Sequence, residues 1–338
     1  MKFILIPDSF KGTLSSEQIC EIAKEKVEKH FPGAETACVP VADGGEGSVD
    51  AFLTALGGSK VSVTVKNPYF EDMESYYGVI NEGKTAVIEM ASCAGLPLVE
   101  DRKNPKLTTT YGVGEVIKDA ISKGCRNFII GIGGSATNDG GIGMLQALGG
   151  ELLDKSGKQV PFGAEGVEKL ASISCKNLLP ELKECSFRIA CDVDNPLYGE
   201  KGCSYIFGPQ KGATPEMVEL MDGWMENYAK ITEEYFADSK TQLGKFNYDP
   251  NYPGCGAAGG LGFAFRTFLH GKLEPGISIV LEEIGIENQI KNADIVITGE
   301  GRLDGQTVMG KAPIGIARLA KKYGKPVLAF SGSVTEDA

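Results

Sequence analysis

Apolar residues near the start of the chain alternate between short continuous runs and helical spacing. Residues 3–6 form a fully apolar run, and from Ser15 apolar positions recur at helical spacing as far as Phe31. The first pattern is typical of a buried strand and the second of a capped helix. The alternation then repeats, with a strand predicted over 36–41 and a helix that ends at Gly57. This β-α-β-α order predicts a parallel sheet with helices on its faces.

The hydrophobic period changes from helical to two near residue 59. Valines alternate with polar residues over 61–65, and similar segments follow over 76–80 and 86–90. Alternation of this kind predicts an antiparallel meander. We therefore expect a second lobe, with a different type of sheet, to begin here.

Segments of the parallel type return further along and predict two lobes that are interleaved along the chain. Apolar strands are predicted over 126–130, 187–191, 293–298 and 326–330, and the segment 216–236 is typical of a long amphipathic helix. We expect an α/β fold with an active-site cleft between two domains. The predicted parallel-sheet domain comprises residues 1–58, 105–148 and 256–338, and the predicted mixed-sheet domain comprises residues 59–104 and 149–255.

The densest glycine cluster is the segment 131–143, which has the sequence GIGGSATNDGGIG. It directly follows the predicted strand 126–130 and precedes a predicted helix over 144–148. Glycine lets the backbone turn sharply and approach a ligand closely, and a helix N-terminus after such a turn attracts anions. A tight turn without a ligand is the alternative. Because Ser, Thr, Asn and Asp are interleaved with the glycines, we favour a phosphate-binding loop.

Composition and charge exclude several classes of function. The chain has 338 residues, 42% of them hydrophobic and 23% charged, which is typical of a soluble globular protein with two domains. No apolar run is long enough to span a membrane, and no leader precedes the first strand. The net charge of -11 argues against nucleic acids and anionic membranes as partners. Nine cysteines without a C-x-x-C pair indicate reduced thiols in the cytoplasm rather than zinc or disulfides.

Polar clusters follow most of the predicted parallel strands, and open parallel sheets bind their ligands at those strand ends. The clusters occupy residues 8–12, 43–46, 135–139, 192–197 and 299–306, and a further glycine-rich segment occupies 256–262. Each alone is typical of a surface turn, but together they bring carboxylates near Lys11, Arg302 and Lys311. Phosphoryl transfer needs cations and Mg²⁺ to neutralise charge, and a carboxylate to orient the attacking hydroxyl.

Other chemistries fit the motifs less well. Lys311 follows a glycine but is not followed by the Ser or Thr of a Walker A loop, and 131–133 lacks the remaining spacing of a dinucleotide fingerprint. His30 and His270 lie outside every polar cluster, which disfavours a Ser-His-Asp hydrolase. Phosphoryl transfer is therefore favoured over hydride transfer and hydrolysis.

Six motifs follow one another in a fixed order along the chain. They are Pro7 to Gly12, Ala42 to Gly47, Gly131 to Gly141, Cys191 to Leu197, Gly256 to Gly262 and Thr298 to Asp304. Together they resemble the motifs of the bacterial type I glycerate kinases, from residue 2 almost to the end of the chain. The resemblance implies phosphorylation of D-glycerate by ATP and Mg²⁺, with 2-phosphoglycerate favoured over 3-phosphoglycerate as the product. It also implies a flavodoxin-like or Rossmann-like parallel-sheet domain interleaved with a smaller mixed α/β domain.

Within this resemblance we assign hypothetical roles by residue chemistry. The catalytic candidates are Asp192 as the base, Lys11, Arg302 and Asp304, and the Mg²⁺ candidates are Asp8 and Asp43. The substrate candidates are Ser9, Lys11, Glu300 and Arg302. Arg302 is favoured for the glycerate carboxylate because its planar guanidinium binds two oxygens. The nucleotide candidates are Gly133, Gly134, Ser135, Thr137, Asn138, Asp139 and Lys311. Glu300 and Asp304 are the alternatives to the two Mg²⁺ candidates.

Two other functions stay open at this point. One is a kinase for another small hydroxy acid or sugar acid, and the other is a non-catalytic regulator that binds a nucleotide or phosphate. The many carboxylates beside the cations disfavour pure anion binding. A homo-oligomer is compatible with the sequence. Members of the resembling family usually continue for some tens of residues, so we expect the end at Ala338 to leave out an edge strand and helix and to expose apolar surface.

Overall fold

The computed structural model describes residues 1–10, 13–39, 41, 47–238 and 248–303 together with 312–335, except for the side chain of Asp238. Its described part contains a four-stranded sheet, a six-stranded sheet and a two-stranded pair. Within these ranges no helix is both long enough and apolar enough to cross a membrane. The mixed α/β architecture is the one that the hydrophobic pattern predicts.

The elements follow one another in three stretches of the chain. The first stretch contains β1 (Lys2–Pro7), α1 (Ser16–His30), β2 (Glu35–Cys38), α2 (Ser48–Leu56), β3 (Ser59–Lys66), β4 (Asp72–Ile80) and β5 (Thr85–Glu89). The second contains α3 (Ala91–Ala94), α4 (Tyr111–Ser122), β6 (Asn127–Gly131), α5 (Ile142–Ala147), β7 (Glu151–Leu153), α6 (Ala164–Lys169), β8 (Ser172–Ser174), β9 (Ser186–Ala190), α7 (Cys203–Phe207) and α8 (Pro215–Asp238). The third contains α9 (Ala257–Phe268), β10 (Lys272–Glu274), α10 (Gly276–Glu283), α11 (Glu287–Asn292), β11 (Ile295–Leu303), α12 (Ala312–Lys322) and β12 (Val327–Val334).

The four-stranded sheet is parallel, in the order β12-β11-β1-β2. Alternate residues of the central strand β1 face opposite sides, because side chains alternate along a strand. Phe3 and Leu5 pack with Cys20 of α1, whereas Ile4 and Ile6 pack on the opposite face with α2 and α12. The sheet therefore has helices on both faces, as predicted.

Helix α1 begins where the sequence predicts. Ser15 accepts a hydrogen bond from the backbone N–H of Gln18 at 3.2 Å, and the Gln18 side chain accepts one from the N–H of Ser15 at 3.0 Å. This capping box satisfies two N–H groups that a helix start leaves without partners. Its position fixes the direction in which α1 leaves the end of β1.

The six-stranded sheet is mixed, in the order β10-β9-β6-β5-β4-β3. The strands β3, β4 and β5 form the predicted antiparallel meander, with Val63 opposite Ser75. The strands β5, β6, β9 and β10 are parallel. This one sheet therefore contains both the antiparallel strands with alternating apolar residues and several parallel strands with continuous apolar runs.

The pairing of β6 differs from the predicted domain boundaries. Residues 105–148 are expected in the parallel-sheet domain, but Ile129 of β6 pairs with Val87 of β5 and with Arg188 of β9. Similarly, β10 at 272–274 pairs with β9, although 256–338 is expected in the first domain. An apolar run shows that a strand is buried, but its pairing partner depends on how distant segments pack.

The two larger sheets share one hydrophobic core. Ile4 of β1 and Phe52 of α2 lie in the same cluster as Val87, Ile129 and Ala190 of the six-stranded sheet. The junction also has a polar link, since the buried Glu89 carboxylate at the end of β5 accepts a hydrogen bond from the N–H of Val49 at 2.8 Å. A carboxylate at the start of α2 is favourable because helix N-termini carry partial positive charge.

The outer strand β12 presents apolar side chains on its surface. Leu328, Phe330 and Val334 are all more than half exposed among the described residues, at 51%, 56% and 66%. Exposed apolar residues on an edge strand are unusual for a soluble protein.

We predict that Gly114→Ala destabilises the protein through the contact of α4 with α5. A Cβ at Gly114 would lie 2.5 Å from the Met144 carbonyl oxygen and 2.7 Å from the Ala147 Cβ. Overpacking of this kind costs about 1 to 3 kcal/mol in the free energy of unfolding, which urea titration measures. Gly223→Ala on α8 is the matched control, because nothing lies within 4 Å of that position. It should stabilise by up to about 1 kcal/mol. Equal effects of the two substitutions would contradict the packing argument.

Candidate active site

A cleft of about 740 Å³ opens at the carboxyl ends of strands from both larger sheets. Ser9 after β1 lines it on one side, and Gly133 after β6 and Asp192 after β9 line it on the other. This is the place where open α/β sheets bind ligands, because strand ends leave polar groups and loops there. The candidate base, Asp192, lies on the cleft. It is the one charged side chain among the described lining residues.

The segment Gly133–Ser135 lines the cleft. Gly134 has a φ of +73°, which an L side chain rarely adopts, so glycine is needed at this turn. The segment is held from behind, because the N–H of Leu96 donates to the Gly134 carbonyl at 2.9 Å. Among the described residues, the N–H groups of Gly133, Gly134 and Ser135 have no hydrogen-bond partner. Free backbone N–H groups in successive residues of a turn suit an anion.

The next three nucleotide candidates lie beneath this segment and not on the cleft. Thr137, Asn138 and Asp139 are fully buried. The Asp139 carboxylate accepts hydrogen bonds from the N–H of Thr110 at 2.8 Å and from the N–H of Gly141 at 3.0 Å. Asp139 therefore caps the start of α5 from inside the protein, and that helix end does not open into the cleft.

Burial governs the electrostatics of Asp139. Removal from water is the largest cause that raises the pKa of its carboxyl, whereas the hydrogen bonds from Thr110, Gly141 and Gly143 lower it. Buried carboxylates persist only when donors surround them. The donors here come from α4 and α5, so the carboxylate joins these helices to the glycine-rich segment.

Asp192 is oriented by a helix. Its Oδ1 accepts a hydrogen bond from the N–H of Gly276 at 3.0 Å, and Gly276 is the first residue of α10. The positive end of the helix dipole favours the ionised carboxylate. The side chain is half-buried and lines the cleft, so it is both fixed in direction and accessible to a small substrate.

Two further candidates are buried: Asp8, which directly follows β1, and Glu300, which lies on the neighbouring strand β11. The N–H of Asp8 donates to the Gly299 carbonyl at 2.9 Å, and its Oδ1 accepts from the N–H of Ser9 at 2.6 Å. Asp8 thus lies directly behind Ser9, which lines the cleft. Mg²⁺ is commonly held by one or two carboxylates together with substrate phosphates, and Asp8 fits that chemistry. Within the described ranges there is no group of three or more metal-ligating side chains.

Residues 300–303 belong to a strand and not to the predicted loop. Strand β11 continues to Leu303 because it stays paired with β12, with Arg302 opposite Ser333. Arg302 is exposed, and neither it nor Glu300 is among the described residues that line the cleft. The candidates Lys11, Asp43, Asp304 and Lys311 lie outside the described residues.

Other residues of the cleft have no signal in the strand-end pattern. Phe207 at the end of α7 and Gln210 in the 3₁₀ turn Pro209–Lys211 both line the cleft. The stretch 208–212 contains two glycines and a proline, which are typical of a turn. No predicted strand precedes it, so a search of strand ends passes over it.

Comparisons with known proteins show which family the chain resembles. A family model described as "Glycerate kinase family" matches residues 3–338. The chain is 46% identical to a protein named glycerate kinase from Bacillus subtilis, over 100% of this chain and 86% of the relative. It is 44% identical to a glycerate 2-kinase from Escherichia coli, again over 100% of this chain and 86% of the relative. A crystal structure from Salmonella typhimurium LT2, described as glycerate kinase 2, has a TM-score of 0.90 and 41% identity, over 99% of this chain and 90% of that chain.

We predict that Asp139→Ala is strongly destabilising, although the residue does not line the cleft. The substitution leaves the N–H groups of Thr110 and Gly141 buried without an acceptor, which costs about 3 kcal/mol or more in the free energy of unfolding. Chemical denaturation followed by circular dichroism measures the loss. Asp101→Ala, at an exposed position, is the control and should change stability by less than about 0.5 kcal/mol. A loss no greater than that of the control would show that Asp139 is not a structural cap.

Proposed function

Since the chain belongs to the glycerate kinase family, we propose that it transfers the γ-phosphoryl group of ATP to a hydroxyl of D-glycerate, with 2-phosphoglycerate as the product. The observation that carries the proposal is the cleft itself. It places free backbone N–H groups and a fixed carboxylate on the same side. The relative named glycerate 2-kinase supports the position of the phosphate.

In this proposal backbone N–H groups bind the phosphate, and a carboxylate side chain acts as the base. The N–H groups of Gly133, Gly134 and Ser135 bind phosphate oxygens, where they stabilise charge without any reorganisation. The Asp192 carboxylate accepts a hydrogen bond from the attacking hydroxyl and takes its proton as the oxygen bonds to phosphorus and ADP leaves. Bound Mg²⁺ supplies charge neutralisation at the phosphates, and Asp8 is the described residue that would hold it.

The remaining candidates keep their proposed roles around this centre. Ser9 binds the substrate from the wall of the cleft that it lines. Lys11 and Arg302 are both catalytic and substrate residues, Asp304 is catalytic and Glu300 binds the substrate. Asp43 is a second Mg²⁺ ligand and Lys311 contacts the nucleotide. Thr137, Asn138 and Asp139 serve the nucleotide indirectly, because they support the Gly133–Ser135 segment from below. We also infer a cytoplasmic enzyme, since all nine cysteines are unpaired thiols, as a reducing compartment requires.

We predict that the protein consumes ATP when D-glycerate and Mg²⁺ are both present, and that ³¹P NMR shows the phosphate on the 2-hydroxyl. A panel of other small hydroxy acids and sugar acids, assayed in the same way, tests the alternative kinases. Turnover with glycerate that produces 3-phosphoglycerate would correct the regiochemistry alone. Binding of ATP without transfer to any acid in the panel would favour the non-catalytic regulator.

We predict that Asp192→Asn lowers kcat about 100- to 10,000-fold, because the amide cannot take the proton of the hydroxyl. The fold should be unchanged, since the side chain keeps its size and an oxygen for the N–H of Gly276. Asp194→Asn is the matched control: this aspartate lies two residues along, is exposed and does not line the cleft. Steady-state kinetics of both variants measure kcat, and circular dichroism shows whether both keep the fold. Near-normal turnover of Asp192→Asn would remove Asp192 from the base role.

A further inference from the structure

A lysine lies buried beneath the glycine-rich segment. Lys211, at the end of the turn Pro209–Lys211, is only 1% exposed, and its neighbour Gln210 lines the cleft. Lysine is almost never fully buried unless a partner compensates for its charge, because an ammonium ion loses much solvation inside a protein. The partners of Lys211 therefore indicate what the residue does.

The Lys211 ammonium holds one particular carbonyl group. Its Nζ donates to the Thr137 carbonyl oxygen at 2.6 Å. The same carbonyl is confined from the other side, since a Cβ at Gly259 would lie 2.1 Å from it. The backbone at Thr137 is thus clamped between a charged donor and a glycine turn, two residues after Ser135 at the cleft.

The other side-chain contacts to this part of the segment come from neutral groups, such as the Thr108 hydroxyl, which donates to the Ala136 carbonyl oxygen at 2.8 Å. Within the described structure, the buried oxygens Thr137 Oγ1 and Asn138 Oδ1 have no hydrogen-bond partner. The Asn138 amide donates to Ser204 of α7 at 3.0 Å, and the N–H of Gly140 donates to the Gly259 carbonyl at 2.9 Å. The contact from Lys211 is therefore the charged restraint on the stretch between Ser135 and Asp139.

We propose that Lys211 is a positioning residue, whose ammonium fixes the Thr137 carbonyl and thereby aims the free N–H groups of Gly133–Ser135 at the phosphate in the cleft. The inference rests on the proposed kinase function. It assigns no contact between Lys211 and substrate, because the side chain ends beneath the segment and not in the cleft.

The titratable groups around Lys211 set its protonation. It faces Asp139 of the glycine-rich segment and Cys203 of α7, and α8 brings Asp222 near Cys203 and Tyr228 near Asp139. Burial has the largest effect and lowers the pKa of Lys211 to about 8. The nearby Cys203 and Asp139 act in the opposite direction and raise this pKa. Burial raises the pKa of Cys203 to about 11, so its thiol stays neutral below that range.

The activity and the stability should then respond to pH in opposite directions. Above pH 8 the amine is neutral and holds the carbonyl only by an uncharged hydrogen bond, which is about half as strong. We expect kcat/KM to fall as pH rises through about 8. The pKa of Lys211 in the folded protein lies below the usual lysine value of 10.5, so the unfolded chain binds more protons between these two values. The contribution of Lys211 to the free energy of unfolding therefore rises with pH in that range.

The test compares Lys211→Met, Lys211→Arg and the wild-type protein, with Lys230→Met on the exposed side of α8 as the matched control. Lys211→Met should lower kcat/KM for glycerate at pH 7 by about tenfold or more, since a displaced binding group loses much of its effect. Lys211→Arg, which keeps the charge, should restore most of the activity and lack the fall near pH 8. Hydrogen exchange of peptides that cover 131–141 should be faster in Lys211→Met than in the wild type and the control.

The outcomes separate this inference from the proposed function. A wild-type protein without turnover on glycerate would contradict the kinase proposal, while hydrogen exchange would still test the role of Lys211. A folded Lys211→Met with kcat/KM within twofold of wild type and unchanged exchange would overturn the inference. The inference would also be overturned if kcat/KM of Lys211→Arg fell near pH 8 as that of the wild type does. If neither variant folds, the dependence of kcat/KM on pH in the wild-type protein tests the inference. A kcat/KM that stays constant from pH 7 to 9.5 would overturn the inference.

Discussion

Two glycine-rich segments pack backbone against backbone beneath the cleft, and the geometry of the site depends on that contact. A Cβ at Gly260 would lie 2.8 Å from the Cα of Gly140, and a Cβ at Gly141 would lie 2.4 Å from the Cβ of Ala264. The turn over 258–260 has positive φ throughout, which glycine permits and which Ala258 adopts at a cost of about 1 to 3 kcal/mol. Such contacts leave no room for side chains, so the segment Gly133–Ser135 has a rigid support.

Buried charge reinforces this support from two sides. The Asp139 carboxylate joins the segment to the starts of α4 and α5, and the Lys211 ammonium holds the Thr137 carbonyl. Each charge is costly to bury, and each is compensated by hydrogen bonds to the backbone. The charges lie under the cleft and shape its wall, whereas Asp192 is the one charged side chain that the described wall itself presents.

The common core of the two sheets brings the two halves of the cleft together. Ile4 of the parallel sheet and Ile129 of the mixed sheet belong to one cluster, and Glu89 crosses the junction to the start of α2. Because interiors are close-packed, strand ends that share a core keep a fixed separation. The phosphate-binding N–H groups and the Asp192 carboxylate follow β6 and β9, which pair directly, so their relative position depends on one sheet.

Local patterns in the sequence determined most of the longer strands, including the meander after residue 59, but not the three-residue strands β7, β8 and β10. They also determined the start of α1 at Ser15 and the glycine-rich turn after β6, because period, capping and φ depend on residues close together in the chain. They also identified Asp192 and Gly133 as residues at strand ends. Only the tertiary structure decided that β6 joins the mixed sheet, that β11 continues through Arg302, and that Asp139 and Lys211 are buried under the cleft. The reason is physical: the pairing partner of a strand and the burial of a charged side chain depend on segments distant along the chain, whose packing leaves no local period.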